Sequence, residues 1–225
     1  MRASAKPSAS RGLWIAFLGP DGVGKSAVIQ ELQHRFEPAF DAITLFHFRP
    51  GFRSQRVDRP PVTRPHAQRP RSLLVSLGKL LYWLVDCWYG YLFVIRPGKR
   101  REGLILFDRY YPDILVDPLR YRLPERCAKF TRWLTALAPR PDLYVLLDAP
   151  AEVVQQRKSE LPLVESHRQR VAYLKMFEII RDKLLVNANR PADQVARNIF
   201  VAIHSLYPNY AFRNKRVFPF CRPLD

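Results

Sequence analysis

Short apolar runs of strand length recur along the chain, and most of them end at or near glycine, proline or an acidic residue. The first run, Leu13–Leu18, is apolar at every position, which is typical of a strand buried on both faces of a sheet. The second ends at Arg49, because Pro50 and Gly51 cannot continue a central strand. Including the first, the runs predict strands at 13–18, 42–48, 103–108, 142–148 and 185–187.

Between these runs, apolar residues recur at helical spacing. Pro124 suits the first turn of one of the predicted helices. The spacing predicts helices at 26–36, 123–137, 151–158, 165–185 and 192–206. Strands that alternate with helices form parallel sheets whose faces the helices cover. We therefore expect an α/β fold in which one domain, 13–208, contains a five-stranded parallel sheet with helices on both faces.

The segment 73–95 is strongly apolar and aromatic, and three interpretations of it stay open. Lys79 and Asp86 argue against a membrane span, because each costs about 2.5–3.5 kcal/mol near the centre of a bilayer. A buried helix is the preferred interpretation. A helix lying on a membrane surface, flanked by the basic cluster 96–101, is the second, and a true span is the third.

The composition adds a large positive charge. The chain has 37 Lys and Arg residues against 20 Asp and Glu, a formal net charge of +17. Its 48% hydrophobic content excludes wholesale disorder, so the charge implies an anionic ligand, nucleic acid or an anionic membrane surface. The segment 49–72 is rich in arginine and proline, and we expect it to form an extended loop. Basic tails are expected at 1–12 and 209–225.

The three cysteines, Cys87, Cys127 and Cys221, are odd in number and widely spaced, which argues against a disulfide scaffold and against a zinc site. They suit a reducing compartment. Residues 1–11 are polar and basic, and the apolar run that follows has only the length of a strand, so they do not resemble an export signal. We therefore expect a cytoplasmic protein, with peripheral association with the inner membrane as the alternative.

One motif carries specific chemistry: residues 19–26 read GPDGVGKS, which satisfies GxxxxGK[ST] between a predicted strand and a predicted helix. Glycines let such a loop wrap a polyphosphate with its N–H groups turned inward, and the helix N-terminus adds its positive dipole end. Lys25 can reach the β- and γ-phosphates, and the Ser26 hydroxyl can bind Mg²⁺. The motif predicts a P-loop NTPase domain that binds ATP and Mg²⁺ through Gly19, Asp21, Gly22, Val23, Gly24, Lys25, Ser26 and Ala27.

Two acidic residues follow predicted strands, at the edge where a parallel sheet places ligand groups. Asp108 is the stronger candidate for binding Mg²⁺ or orienting an acceptor, because Arg109 follows it and can neutralise the charge of a transferring phosphate. A surface ion pair at the strand end is the alternative for these two. Asp148 either contacts and supports the residues that bind the ligand, or is a turn aspartate. Both interpretations stay open.

These motifs, in this order, resemble the thymidylate kinase branch of the nucleoside monophosphate kinases. The resemblance rests on the GPDGVGKS loop, the DRY run at 108–110, PDLYVLLDAP at 141–150 and NANRP at 187–191. It implies an ATP-dependent kinase with a short lid at 157–170. The catalytic residues implied are Lys25, Asp108, Arg109 and Arg157, and Asn189 and Arg190 would contact adenine.

On the acceptor side, the chain keeps only part of the family pattern. The resemblance implies acceptor contacts from Asp21, Arg49, Asp108, Arg109 and Tyr110. The HFRPGF run at 47–52 retains part of the family's Arg-Glu-Pro-Gly-Gly-Thr, and the segment after Tyr110 lacks the residues that surround thymine in that family. Divergent chains of this type look like the thymidylate kinase-like proteins of bacterial surface-polysaccharide systems.

Three functions therefore stay open. The preferred one is transfer of the γ-phosphoryl group of ATP to a nucleoside monophosphate-like anionic acceptor, with Mg²⁺. The second is a kinase of a sugar or lipid-linked glycan. The third is a nucleotide-binding regulator or nucleic-acid-associated ATPase, but the sequence contains no aromatic–basic RNA signature, so nucleic acid is not expected as a partner. A homodimer and an anionic membrane surface are the other expected partners.

Overall fold

The computed structural model describes residues 12–50, 71–158 and 161–208. The two predicted tails, apart from Gly12, and the interior of the predicted loop 49–72 lie outside these ranges. The five strands of the described residues are β1 Leu13–Leu18, β2 Ile43–His47, β3 Leu104–Asp108, β4 Leu143–Asp148 and β5 Lys183–Asn187. All five predicted strands are confirmed, although β5 begins at residue 183 and not at 185.

The strands form one parallel sheet in the order β2-β3-β1-β4-β5. Phe17, near the end of β1, is in register with Asp108 at the end of β3. His47, the last residue of β2, is in register with the same Asp108. Because parallel strands end at one edge of a sheet, the residues that follow β1, β2 and β3 meet there.

Eight α-helices and two short helical turns surround the sheet in the described residues. They are α1 Lys25–Phe36, α2 Leu73–Gly90, a π-helical turn Tyr91–Ile95 and α3 Arg96–Arg100, then α4 Asp113–Val116, a 3₁₀ turn Glu125–Cys127 that leads into α5 Ala128–Leu137, and finally α6 Ala151–Arg157, α7 Leu163–Ile179 and α8 Ala192–Leu206.

The predicted helix 165–185 is wrong in its last part. The helix α7 ends at Ile179, and Lys183 already lies in β5. Asp182 adopts φ 47°, and its carbonyl oxygen accepts a hydrogen bond from the Tyr144 N–H at 2.9 Å, which aligns β5 beside β4. The apolar run at 184–186 fits a strand and a helix equally, so its pattern could not locate the break.

The side chains of β1 enter two hydrophobic cores, because successive residues of a strand point to opposite faces. Ile15 and Phe17 pack with α1 and α8 on one face. Trp14 and Ala16 pack with α2, α5 and α7 on the other face. All six residues of β1 are buried, and the predicted α/β sheet covered on both faces is confirmed.

The helix α2 continues through the π-helical turn into α3, and only one side of it faces the core. Leu80, Trp83 and Cys87 are buried, whereas Leu74 and Val85 are 80% and 68% exposed. The prediction of a buried helix is therefore correct for one face only. None of the helices within 12–50, 71–158 and 161–208 is long and apolar enough to cross a bilayer.

Candidate active site

The phosphate loop joins β1, at the centre of the sheet, to α1. Gly19 and Gly24 adopt φ 140° and 103°, a region that L side chains rarely tolerate. A β-carbon at Gly19 would also lie 2.7 Å from the carbonyl oxygen of Leu147 in β4. The loop therefore requires glycine at these positions to turn closely against the sheet before α1 begins at Lys25.

The Lys25 ammonium lies inside this loop. Its Nζ donates hydrogen bonds to the carbonyl oxygens of Gly19 at 2.7 Å and Pro20 at 2.8 Å. Burial, followed by the charge of Arg109, lowers the pKa of Lys25 to about 8, against the opposing effect of Asp108 and other carboxylates. The side chain is thus a buried cation whose two carbonyl partners a phosphate can replace.

Asp108 ends β3 beside the first turn of α1. The Ser26 hydroxyl lies 3.4 Å from Asp108 Oδ2, and Oδ1 is buried without a hydrogen-bond partner among the described residues. Burial raises the pKa of Asp108, but the neighbouring His47 and the charge of Lys25 outweigh it and lower this pKa. A hydroxyl beside a carboxylate with an unused oxygen offers the oxygen ligands that Mg²⁺ prefers.

His47 is a neighbour of Asp108 that the sequence reasoning missed. Its Nδ1 lies 3.6 Å from Asp108 Oδ2, because β2 pairs with β3 in this register. The imidazole is 67% exposed, so it borders the site from the solvent side. A polar residue at the end of a predicted strand was a usable signal, but only the strand order brings it to Asp108.

Asp21 lies between two arginines. One carboxylate oxygen accepts a hydrogen bond from Arg109, and the other accepts one from Arg120. Burial raises the pKa of Asp21, but the charges of Arg109, Lys25 and Arg120 dominate and hold it below its usual value. The sequence reasoning selected Asp21 and Arg109 and missed Arg120, because its segment 117–122 follows no periodic pattern.

Arg109 is buried, and Asp113 fixes its orientation. Its NH1 donates to Asp113 Oδ2 at 2.6 Å, and the Tyr173 hydroxyl of α7 donates to the other oxygen of Asp113 at 2.9 Å. Burial by itself lowers the pKa of Arg109, because it disfavours the charged form. The carboxylate of Asp113 outweighs burial and raises this pKa well above its usual value. The guanidinium is therefore a permanent charge, held in one orientation between Asp113 and Asp21.

Arg49 follows the end of β2 and contacts α2. Its NH1 lies 3.2 Å from Oδ2 of Asp86 in α2. The guanidinium carbon lies 5.8 Å and 5.5 Å from the ring centres of Tyr82 and Trp83. The structure thus places this predicted acceptor ligand against α2. The sequence spacing did not indicate Asp86 and its aromatic neighbours as partners of Arg49.

The Tyr110 side chain, a predicted acceptor contact, lies in the hydrophobic core. It is fully buried, and its hydroxyl donates to the Pro139 carbonyl oxygen at 2.7 Å and lies 3.1 Å from Cys87 Sγ. The chain turns at Arg109, where φ is 76°, and this turn sends the ring under α2. Burial raises the pKa of Cys87 to about 12, so its thiol stays protonated and structural.

Arg157, at the end of α6, contacts the far side of the phosphate loop. It donates to the carbonyl oxygens of Ala188 at 2.9 Å, Val23 at 3.2 Å and Arg190 at 3.5 Å. These contacts join the loop to the segment after β5, where Asn189 and Arg190 are exposed. The structure therefore groups Arg157 with the predicted adenine-contacting residues and not with the buried lysine of the loop.

The remaining charges near the predicted lid form ion pairs. Asp148 at the end of β4 binds Arg170 through two contacts of 2.7 and 2.8 Å. Arg168 lies 2.6 Å from Glu165 one turn earlier in α7. Arg170 thus joins α7 to the end of β4, and Arg168 pairs with a residue of its own helix.

The chain is similar to known thymidylate kinases. No family model matches the chain. Thymidylate kinase of Deinococcus radiodurans is 28% identical and aligns with 86% of this chain and 97% of its own length. A probable thymidylate kinase of Pyrococcus abyssi is 26% identical, covering 86% of this chain and 96% of itself. Thymidylate kinase of Nitrobacter winogradskyi is 29% identical, and the alignment covers 90% of this chain and 93% of its own length.

A solved structure has the same fold. Thymidylate kinase of Candida albicans superposes with a TM-score of 0.61 over 88% of this chain and 94% of its own, at 18% identity. In sequence and in fold, the chain is a thymidylate kinase-like P-loop kinase, an ATP-dependent phosphotransferase.

Proposed function

We propose that the protein transfers the γ-phosphoryl group of Mg²⁺-bound ATP to a nucleoside monophosphate-like anionic acceptor. The observation that carries this proposal is the meeting of the phosphate loop with Asp108 and Arg109 at one edge of the sheet. Ser26 lies 3.4 Å from Asp108 there, and Asp21 accepts a hydrogen bond from Arg109. Donor, metal and charge-neutralising groups are then within one cluster, as phosphoryl transfer requires.

The donor end is proposed to consist of the loop residues, with the segment after β5 against adenine. Lys25 exchanges its two carbonyl partners for the β- and γ-phosphates, and the loop N–H groups contact the same phosphates. Asn189 and Arg190 lie beside the base, and Arg157 holds this segment to the loop. The buried, unpartnered Oδ1 of Asp108 supports a metal role for it together with Ser26.

The acceptor end is proposed to begin at Asp21 and Arg109 and to extend to Arg49. Bound Mg²⁺ would neutralise phosphate charge. The chain itself aligns the two substrates, excludes water and supplies the guanidinium of Arg109 to the transferring group. Asp113 and Tyr173 keep that guanidinium in place. Little covalent chemistry is required of the protein in such a reaction.

A second candidate, the phosphorylation of a sugar or a glycan intermediate, is favoured by one observation. The ring of Trp83 is flanked by Arg49 and Lys79, with Lys79 Nζ 4.4 Å from the ring centre. Phe48 stacks on Tyr121 with ring centres 5.0 Å apart. Aromatic faces that are already covered are poorly suited to stack on a nucleobase.

The experiment that tests the proposed function is a phosphoryl-transfer assay with Mg²⁺-ATP over nucleoside monophosphates, sugar phosphates and polysaccharide fragments. Transfer to a nucleoside monophosphate supports the first candidate, and transfer to sugar compounds alone supports the second. ATP hydrolysis that no acceptor of either class accelerates contradicts both.

We also propose that two copies of the chain associate through α2. The exposed side of α2 and of the π-helical turn that follows it carries a seam with alternating spacings of four and three residues, at Leu74, Gly78, Leu81, Val85, Trp88 and Leu92. This spacing is typical of a helix that packs along another helix. The seam contains no charge and spans about 27 Å at 1.5 Å per residue. An anionic membrane surface is the competing occupant.

A further inference from the structure

A group of cations lies where α2 passes the segment 117–122. Lys79 Nζ donates to the carbonyl oxygen of Tyr121 at 2.7 Å. The Arg71 N–H, just before α2, donates to the carbonyl oxygen of Arg122 at 3.1 Å. These two bonds bring Arg71, Lys79 and Arg122 to one place, although they come from separate parts of the chain.

Arg49 joins this group through Trp83. Lys79 Nζ and the Arg49 guanidinium carbon lie 4.4 Å and 5.5 Å from the indole ring centre. Asp86 pairs with Arg49, but neither Lys79 nor Arg71 has a carboxylate partner among the described residues. Burial, followed by the charges of the neighbouring arginines, lowers the pKa of Lys79 to about 8. Lys79 and the neighbouring arginines are thus like charges that the fold holds close together.

The aromatic residues beside these cations leave little free ring surface for a neutral ring to contact. Phe48 stacks on Tyr121 and Tyr111, with ring centres 5.0 and 5.8 Å apart. Trp83 is 7% exposed and carries two cations. An anionic group would instead meet an ammonium and guanidinium groups, for which charge-assisted hydrogen bonds are strong.

We propose that Lys79, Arg71, Arg122 and Arg49 form a second anion subsite, and that the acceptor carries a second anionic group which binds there. This inference rests on the proposed function. The transfer itself is unchanged: a phosphate oxygen of the acceptor attacks the γ-phosphorus of ATP, the new P–O bond forms, and ADP leaves. The second anionic group, a carboxylate or another phosphate, does not react and selects the substrate.

The test uses acceptor pairs that differ by one carboxylate. One pair is dTMP and 5-carboxy-2′-deoxyuridine 5′-monophosphate, and the other is glucose 1-phosphate and glucuronic acid 1-phosphate. With Mg²⁺-ATP, kcat/KM is measured for all four compounds. In at least one pair we expect the carboxylated compound to be preferred about tenfold, the size of one hydrogen bond between charged groups.

The matched variants are Lys79→Met and Lys129→Met. In Lys79→Met, methionine keeps an unbranched stem against Trp83 and removes the charge. The preference for the carboxylated compound should therefore fall toward unity. Lys129 is an exposed lysine of α5, and its replacement removes the same charge elsewhere. We expect Lys129→Met to keep the preference, which excludes a general effect of net charge.

The possible results separate the inference from the function on which it rests. Transfer to the plain compounds with no gain from the carboxylate overturns the second subsite and leaves the kinase function standing. A preference that Lys79→Met retains also overturns it. Transfer to none of the four compounds contradicts the proposed phosphate-monoester acceptor, and the subsite falls with it.

Discussion

The Ser26 hydroxyl lies 3.4 Å from the Asp108 carboxylate, although 82 residues separate them in the chain. Ser26 belongs to the first turn of α1, and Asp108 ends the neighbouring strand β3. The contact places a candidate metal ligand from the phosphate loop against one from the sheet. Mutations on either side of this contact should therefore affect transfer much more than folding.

We expect Asp108→Asn to lose several orders of magnitude in transfer rate, because both metal binding and acceptor positioning depend on this carboxylate. Arg109→Ala should lose about 10²–10³-fold, the usual effect of removing one charge-stabilising group. Initial rates over a Mg²⁺ titration measure both effects. An Asp108→Asn enzyme that keeps the wild-type rate and Mg²⁺ dependence would show that the metal lies elsewhere.

Lys25→Ala should abolish transfer while the fold stays intact. Among the described residues, the side chain bonds only to carbonyl oxygens of its own loop, and its charge is the one proposed to face the phosphates. Far-UV circular dichroism and ATP turnover are the measurements, with Lys129→Ala as the control for charge removal. Wild-type turnover by a folded Lys25→Ala protein contradicts the loop assignment.

Thymidylate should be a poor acceptor. The chain lacks the residues that surround thymine in the resembling family, and the Tyr110 ring is buried in the core. We expect kcat/KM for dTMP to fall below the range of about 10⁴–10⁸ M⁻¹s⁻¹ that enzymes show on their own substrates. Steady-state assays with dTMP, dUMP and CMP decide this, and a dTMP value inside that range refutes the prediction.

The affinity for an acceptor with a second anionic group should fall as pH rises through about 8, where Lys79 loses its proton. The cationic form binds the anion, so the KM of such an acceptor is low below this pH and rises above it. Lys79→Arg keeps its charge to much higher pH and should remove the rise. A KM profile between about pH 7 and pH 9 that is the same in both enzymes contradicts the assignment.

Val85→Arg should separate the proposed dimer, because it places a charge in the middle of the uncharged seam of α2. Val85 is 68% exposed, so the substitution leaves the core unchanged. Light scattering coupled to size-exclusion chromatography measures the mass, and Val201→Arg on the exposed side of α8 is the control. A wild-type monomer that binds anionic vesicles through this seam would favour a membrane surface.

The local sequence determined the parts of this protein that depend on short-range pattern. The strands follow from apolar runs, and the phosphate loop follows from glycine and lysine spacing, because backbone conformation there is set by neighbouring residues. The carboxyl-end positions of Asp108 and Asp148 followed in the same way. The end of α7 at Ile179 did not follow from the local sequence. The apolar run at 184–186 fits both the helical and the strand period, and pairing with β4 decides for the strand.

Only the tertiary structure decided which side chains meet. The order of strands brings His47 to Asp108, and the segment 117–122 brings Arg120 to Asp21. These partners lie far apart in the chain and follow no period, so no local pattern encodes their approach. The direction of a side chain after a sharp turn is equally non-local. Tyr110 belongs to the predicted DRY signature, yet its ring packs beneath α2 in the core.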